Sequence, residues 1–213
     1  MRNLIIAATL VVAIGGGAAV AQGESPDSDQ SVPQATSFAK AESQFSALRG
    51  TPTGAPKEWP ATFMVDNEFG SDRTRSVAVD PPPGERRFGT WTIVPGTKGV
   101  CFMADAAGAC ATFEEIKARG ATWVATPGKN PPGVSVKDPV SQQAWEVRGI
   151  VPDGVASVVA SGPLPSGKGR GTTGTATVKD NAFFLDLPYG ADSVSYRDAR
   201  GEVVVEQNVG RRG

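Results

Sequence analysis

GVCFMADAAGACATFEEIKARG, residues Gly99–Gly120, decides the fold of this chain, because it joins an apolar run to a short helix. Gly99–Ala104 is brief and apolar, which is typical of a buried strand. Cys101 and Cys110 flank the turn signal Ala107-Gly108, so a bond between the two sulfur atoms would close a hairpin. The stretch therefore predicts a strand and a stapled hairpin directly before a helix.

The helix in this stretch carries its own start and stop signals. Thr112-Phe113-Glu114-Glu115 has the capping-box pattern, with Thr112 at the N-cap and Glu115 three residues later. Gly120 supplies the stop, since glycine adopts the left-handed conformation that ends many helices. The pattern predicts one short helix inserted between strands.

Outward from this stretch, the chain consists mostly of short extended runs separated by turn residues. The sequence has 26 glycines and 17 prolines, and valine dominates its apolar set. This pattern predicts a mainly β, β-sandwich-like domain with one short helical insertion. The predicted strands are Arg75–Val79, Trp91–Val94, Gly99–Ala104, Thr122–Ala125, Val134–Lys137, Ala144–Ile150, Val155–Ser161, Thr175–Lys179, Ala182–Leu187, Ser193–Tyr196 and Val203–Gln207.

The N-terminus has the pattern of a secretory signal peptide. Arg2 is basic, Leu4–Ile14 is an uncharged apolar run, and Ala19-Val20-Ala21 places small residues at the recognition positions for cleavage. We expect cleavage between Ala21 and Gln22. The alternative is an uncleaved anchor, because the apolar run with its flanking small residues reaches the short end of a bilayer span.

The remaining chain divides by composition into a tether and one domain. Residues 22–36 are polar and contain two prolines, which favours a flexible tether. Ser37–Arg49 has apolar residues near one helical face and is followed by glycine, so we expect an N-terminal helix there. We predict a single mainly β domain over residues 37–209, with a possible subdomain boundary near residue 152, at the turn Pro152-Asp153-Gly154.

The two cysteines favour a structural disulfide. Cys101 and Cys110 are the only cysteines in the chain, and an exported protein experiences an oxidising environment. A redox-active pair would usually show close C-x-x-C spacing, which these residues lack.

Four blocks of the sequence resemble a group of secreted proteins from high-GC Gram-positive bacteria. The blocks are FSALRG, GVCFMADAAGAC, VRGIVPDGVASVV and VKDNAFFLDLP. The resemblance implies secretion and a shared fold. That group has no established activity, so the resemblance supplies no catalytic residue.

Charge and composition exclude several classes of function. The formal net charge is −1, whereas a nucleic-acid surface requires a concentrated basic face. The chain contains no histidine, which excludes Ser-His-Asp and Cys-His catalysis and removes the commonest metal ligand. We therefore predict no nucleic-acid partner, no metal and no cofactor.

A glycine-rich stretch, GPLPSGKGRGTTG at Gly162–Gly174, resembles a phosphate-binding loop without its essential features. Gly169 stands where such a loop needs Ser or Thr after Lys168, and no helix pattern follows. We predict no nucleotide ligand. The stretch is interpreted as a long flexible hairpin connection that carries Lys168 and Arg170 at its tip.

Paired carboxylates offer the remaining route to catalysis. Asp66 and Glu68 alternate on an extended run, so both side chains would share one face, as the two acids of a glycoside hydrolase share a site. Glu114 and Glu115 also form a pair, but acids in the first turn of a helix already stabilise its dipole.

The leading hypothesis is an exported, non-catalytic protein that binds or supports an unknown protein or cell-envelope component. The first alternative is a carboxylate-dependent hydrolase of envelope polymer that uses Asp66 and Glu68. The second is a membrane-tethered extracytoplasmic module, in which the signal stays uncleaved; only then would the membrane be a partner.

Overall fold

Antiparallel strands dominate the part of the chain that the structure describes. The structure is a computed structural model. It describes residues 38–54, 68–85, 89–104, 107–128, 144–163, 169–187 and 190–209. All of these residues belong to one compact unit, Pro33–Gly213.

Two short helices, two 3₁₀ segments and eleven strands are present in these described residues. In chain order they are α1 (Ala39–Gln44), a 3₁₀ segment (Ser46–Arg49), a second 3₁₀ segment (Arg73–Arg75), β1 (Val77–Val79), β2 (Trp91–Pro95), β3 (Gly99–Ala104), β4 (Ala107–Thr112), α2 (Phe113–Arg119), β5 (Thr122–Pro127), β6 (Trp145–Ile150), β7 (Ser157–Pro163), β8 (Arg170–Thr177), β9 (Ala182–Leu187), β10 (Ser193–Arg197) and β11 (Val203–Asn208).

The strands form three antiparallel sheets. Sheet 1 has the order β1-β2-β3-β4, sheet 2 has the order β11-β10-β7-β8, and sheet 3 has the order β5-β6-β9. The predicted mainly β fold class is confirmed. The predicted helical insertion is confirmed as α2, which follows β4 directly.

Two apolar cores hold these elements together. In the first, α1, the segment Ser46–Arg49 and α2 pack against sheet 1, around the fully buried Trp91 and Phe102. In the second, sheet 2 packs on sheet 3 around Val158, Leu185 and Tyr196. Strands β2 and β3 are buried on both faces, which is why they appear in the sequence as continuous apolar runs.

The stapled hairpin is confirmed as β3 and β4. Cys101 lies directly opposite Cys110 in the ladder, and the two form a disulfide. The predicted turn position is wrong, because Gly108 lies inside β4 opposite Met103. Small residues fill β4, so its sequence lacks the bulky apolar pattern that marks β3.

The N-terminal helix is shorter than predicted. Helix α1 ends at Gln44, and Phe45 adopts an extended conformation before the 3₁₀ segment begins. The break places the Phe45 ring in the first core, where it is fully buried. Ser37, the predicted start of this helix, lies outside the described residues.

The glycine-rich stretch is also more ordered than predicted. The hairpin between its flanking strands is confirmed as β7 and β8, but Arg170–Gly174 belongs to β8 instead of a loop. Because Arg170 lies in β8, its side chain reaches Asp192 and forms an ion pair with it. Arg170 therefore does not stand at a flexible tip. Lys168 lies outside the described residues.

The other predicted strands differ mainly at their ends. Arg75 belongs to a 3₁₀ segment, because the backbone turns there before β1 begins at Val77. The predicted strand Val134–Lys137 lies outside the described residues.

Candidate functional site

An open cleft of about 400 Å³ lies between α1, α2 and β11. Its apolar lining comes from α2, from the start of β11 and from the turn between β6 and β7, and its charged rim comes from both helices. The apolar side chains are Phe113, Ile116, Val155, Val204 and Val205, and the charged ones are Lys40, Glu114 and Lys117. We call this feature the α2–β11 cleft.

Helix α2 is held in place by the capping box that the sequence predicts. The Thr112 hydroxyl accepts a hydrogen bond from the Glu115 N–H at 3.1 Å, and the Glu115 carboxylate accepts one from the Thr112 N–H at 2.9 Å. The hydrogen bond from the Thr112 backbone lowers the pKa of Glu115, against the opposing effect of burial.

The end of α2 packs closely against sheet 2. Gly120 has a φ of 78°, which favours glycine, and a Cβ at this position would lie 2.5 Å from the Tyr196 ring. The absence of a side chain therefore allows both the turn and the contact that seats α2 beside β11.

The other wall of the cleft depends on a polar network around Asn181. Its side-chain oxygen accepts hydrogen bonds from the Ser46 hydroxyl and the Ala47 N–H, and its side-chain nitrogen donates to the Val151 carbonyl and to Asp153. These bonds attach the chain that follows α1 to the end of sheet 3.

Asp153 completes this network. One of its carboxylate oxygens accepts from the Ser46 N–H, and the other accepts from Arg49 at 2.9 Å. Burial raises the pKa of Asp153, but hydrogen bonds from Asn181, Ser46 and Arg49 outweigh that effect, and the pKa lies below its ordinary value.

The charged rim of the cleft has an excess of positive charge. Lys40 lies 3.6 Å from Glu114 and 4.8 Å from the centre of the Phe113 ring. Lys117 is exposed, and no carboxylate in the described part of the chain lies within ion-pair distance of it. The rim therefore presents two lysines to one glutamate.

Strand β11 forms one edge of sheet 2 and exposes apolar side chains there. Val203 is 50% exposed and Val204 is 56% exposed, and they are the only large hydrophobic side chains exposed to this extent in the described residues. Exposed apolar groups on an edge strand are unusual, since edges generally carry charges or prolines that block pairing.

The backbone N–H and C=O groups of successive residues in β11 point alternately toward β10 and away from it. The Val209 N–H donates to the Asp192 carbonyl at one end of the β10–β11 ladder, and a β-bulge at Val204 shifts the register beyond the pair Tyr196–Val205. Because hydrogen-bonded and non-hydrogen-bonded positions alternate in antiparallel ladders, the backbone N–H and C=O groups of Gln207 point to β10. Those of Glu206 and Asn208 point away from β10.

Of the carboxylates weighed from the sequence, Glu114 is the one that lines this cleft in the described part of the chain. Glu68 is exposed in a 3₁₀ turn, and Asp66 lies outside the described residues, as do Ala21 and Gln22. Cys101 and Cys110 are committed to the disulfide. Glu114 lines the cleft, whereas Glu115 serves the helix cap.

A buried charged cluster, which sequence reasoning missed, lies on sheet 3. Arg148 is fully buried; its Nε donates to Glu85 at 2.7 Å, its Nη2 donates to Glu146 at 2.8 Å, and its Nη1 donates to Thr126 at 2.7 Å. The guanidinium lies 5.3 Å from the centre of the Phe184 ring.

The geometry of this cluster favours a structural role. The Arg148 guanidinium donates from all three nitrogens and compensates two carboxylates, so both glutamates bind a cation instead of facing an open pocket. Glu146 and Arg148 alternate in the otherwise apolar run WEVRGI, a signal that places both on one face of a strand. Nothing in the sequence links them to Glu85, which lies 63 residues before Arg148.

Comparison of the chain with known protein families, with curated proteins and with solved structures finds no match. The described residues include no helix that is long and apolar enough to cross a membrane. In the same residues no group of acidic or cysteine side chains has the arrangement of a metal site.

Proposed function

We propose that this protein is an exported, non-catalytic binding protein whose interface is the α2–β11 cleft together with the adjoining edge of β11. One observation carries the proposal: Val203 and Val204 are half-exposed on an edge strand beside an apolar cleft. Exposed apolar surface with a polar rim is typical of sites that bind another molecule.

The construction of the cleft supports a binding role. Its walls are short elements held by a helix cap on one side and by the Asn181 network on the other. A rigid, pre-formed surface loses little conformational freedom when it binds, which favours affinity. Among the described residues that line the cleft, Glu114 is the single carboxylate, so they do not supply the acid pair of a glycoside hydrolase.

Export is supported by the disulfide and by the pattern of the N-terminus. A disulfide between neighbouring strands persists in an oxidising compartment and is rare in reducing ones. Residues 1–21 have the pattern of a cleavable signal, with Ala21 and Gln22 at the cleavage site.

Photo-crosslinking in the native cell tests this proposal. The full chain is produced with a photoreactive amino acid at Val204, and after irradiation its adducts are separated and sequenced. We expect one reproducible adduct in the extracytoplasmic fraction, because Val204 borders the interface. The N-terminus of the same sample should begin at Gln22 if the signal is removed.

A matched control uses the same photoreactive residue at Thr175, which is exposed on β8 at the far edge of sheet 2. The adduct should be absent there. Absence of any Val204 adduct, or equal labelling from both positions, would contradict the proposed interface.

A further inference from the structure

We propose that the partner, given the interface proposed above, binds as an extended peptide segment that adds a strand to the free edge of β11. The segment would place apolar side chains on the α2 side of the sheet and an acidic side chain beside Lys117. The partner class is thus a peptide with the pattern apolar-x-acidic-x-apolar.

The first support is the unsatisfied backbone edge. The N–H and C=O groups of Glu206 and Asn208 point away from β10, and in the described residues no other strand pairs with this side of β11. Such an edge is a template for strand addition, in which backbone hydrogen bonds supply affinity.

The outer edge of strand β1 is covered by hydrogen bonds, in contrast to the free edge of β11. The outer edge of β1 is covered, because the Ala78 N–H donates to the Thr53 hydroxyl and the Thr53 N–H donates to the Ser76 carbonyl. The β11 edge has no such hydrogen-bonded cover among the described residues. Glu206 and a β-bulge at Val204 lie on it, and its exposed large hydrophobic side chains are Val203 and Val204.

The second support is the periodicity of a strand. Side chains of an added strand alternate between the two faces of sheet 2, so every second one lies on the α2 side. On that side they meet the α2–β11 cleft where Val204 is exposed and Val205 is half-buried; Phe113 and Ile116, which also line the cleft, are buried. On the opposite side they meet the exposed polar face beside Glu206.

The third support is charge complementarity. Lys117 is exposed without an ion-pair partner in the described residues, and Lys40 contacts both Glu114 and the Phe113 ring. An acidic side chain on the α2 side of the added strand would balance this excess, whereas a basic one would be repelled. The charge therefore selects an acidic residue between the apolar ones.

Two synthetic peptides test the inference, acetyl-TVTETVT-amide and its lysine counterpart acetyl-TVTKTVT-amide. Each is titrated to millimolar concentration into the isotope-labelled full chain, and backbone amide shifts are followed by NMR. We expect the acidic peptide to shift amides of β11 and α2, and to bind about tenfold more tightly than the basic one. No saturable shift, or equal binding of both peptides, would overturn the inference.

Variants of β11 and α2 separate backbone pairing from other binding modes. Glu206→Pro removes the outward N–H without removing a bond to β10, and should weaken the acidic peptide about tenfold. Glu206→Ala keeps the N–H and should stay within about threefold of the wild type. Lys117→Glu should reverse the preference between the two peptides. Equal affinities for the proline and alanine variants would overturn strand addition.

A modified peptide gives the same test without altering the protein. Methylation of the acidic peptide on the alternate backbone nitrogens that face β11 should abolish binding, and methylation on the other set should not. If the chain instead forms a dimer that Glu206→Pro dissociates, the edge serves a second copy and the peptide inference is wrong. A Val204 adduct that persists in Glu206→Pro would keep the proposed function while it overturns strand addition.

Discussion

Arg148 shows how much of sheet 3 depends on one side chain. Its guanidinium is fully buried and binds Glu85 and Glu146, which are themselves buried. The two glutamates come from different parts of the chain, so the arginine joins the segment before residue 86 to the central strand of the sheet. Removing Arg148 takes away a buried cation that both buried glutamates bind, which costs far more than losing a surface pair.

At this scale we predict that Arg148→Met lowers the free energy of unfolding by about 3–5 kcal/mol. Arg148→Lys should be milder but still destabilising, because lysine keeps the charge and loses the planar fork. Urea denaturation of the purified full chain measures both.

The control for Arg148 is Lys179→Met, which breaks the exposed pair with Asp80. Surface pairs contribute little, so we expect a change of about 0.5 kcal/mol or less. Similar losses from the Arg148 and Lys179 variants would show that the buried cluster is not a structural centre.

Helix α2 and the hairpin before it form the best-specified element of the molecule. The disulfide joins Cys101 and Cys110 across β3 and β4, and the next residue but one, Thr112, caps the helix. These local devices fix the direction in which α2 leaves sheet 1. Because α2 forms one wall of the α2–β11 cleft, its cap also maintains the proposed interface.

We predict that Thr112→Ala lowers the free energy of unfolding by about 1 kcal/mol, because it removes the oxygen that accepts from the Glu115 N–H. Thr112→Ser retains that oxygen and should stay close to the wild type. Thermal denaturation at neutral pH compares the two variants, and an unchanged midpoint for Thr112→Ala would refute the role of the cap.

For the molecule as a whole, composition determines how stability responds to pH. The chain has no histidine, and both cysteines are bonded, so few side chains titrate near neutral pH. Hydrogen bonds lower the pKa of Glu115 and Asp153 in the folded state. A carboxyl whose pKa is lowered in the folded state stabilises the fold at a pH above its ordinary pKa. That stabilisation is lost as the pH falls through the folded-state pKa.

We therefore expect the free energy of unfolding to fall as the pH drops below about 4, the region of ordinary carboxyl pKa values. Asp153→Asn removes one contributing carboxyl and preserves the shape of the side chain. The free energy of unfolding of this variant should therefore fall less than that of the wild type between pH 6 and pH 3. Urea denaturation across this range gives the two curves. Parallel curves would contradict the assigned role of Asp153.

Local patterns in the sequence predicted much of the fold. The predicted strands on β3 and β9 match the structure in both bounds, and the capping box fixed the start of α2 at Thr112. Such features depend on residues within a few positions of one another, which is the range over which side-chain spacing and capping act. Helix α1 was predicted too long because Asn181, far along the chain, takes a backbone N–H that would otherwise continue the helix.

The sequence by itself determined the mainly β class, the disulfide and the capped helix, together with the absence of histidine chemistry. Only the tertiary structure decided which strand became an edge, which side of β11 has no partner strand in the described residues, and that Lys117 stands beside exposed valines. It alone also brought Glu85 to Arg148. The physical reason is that strand order and buried ion pairs depend on contacts between residues distant in the chain, which periodicity and local propensity do not encode.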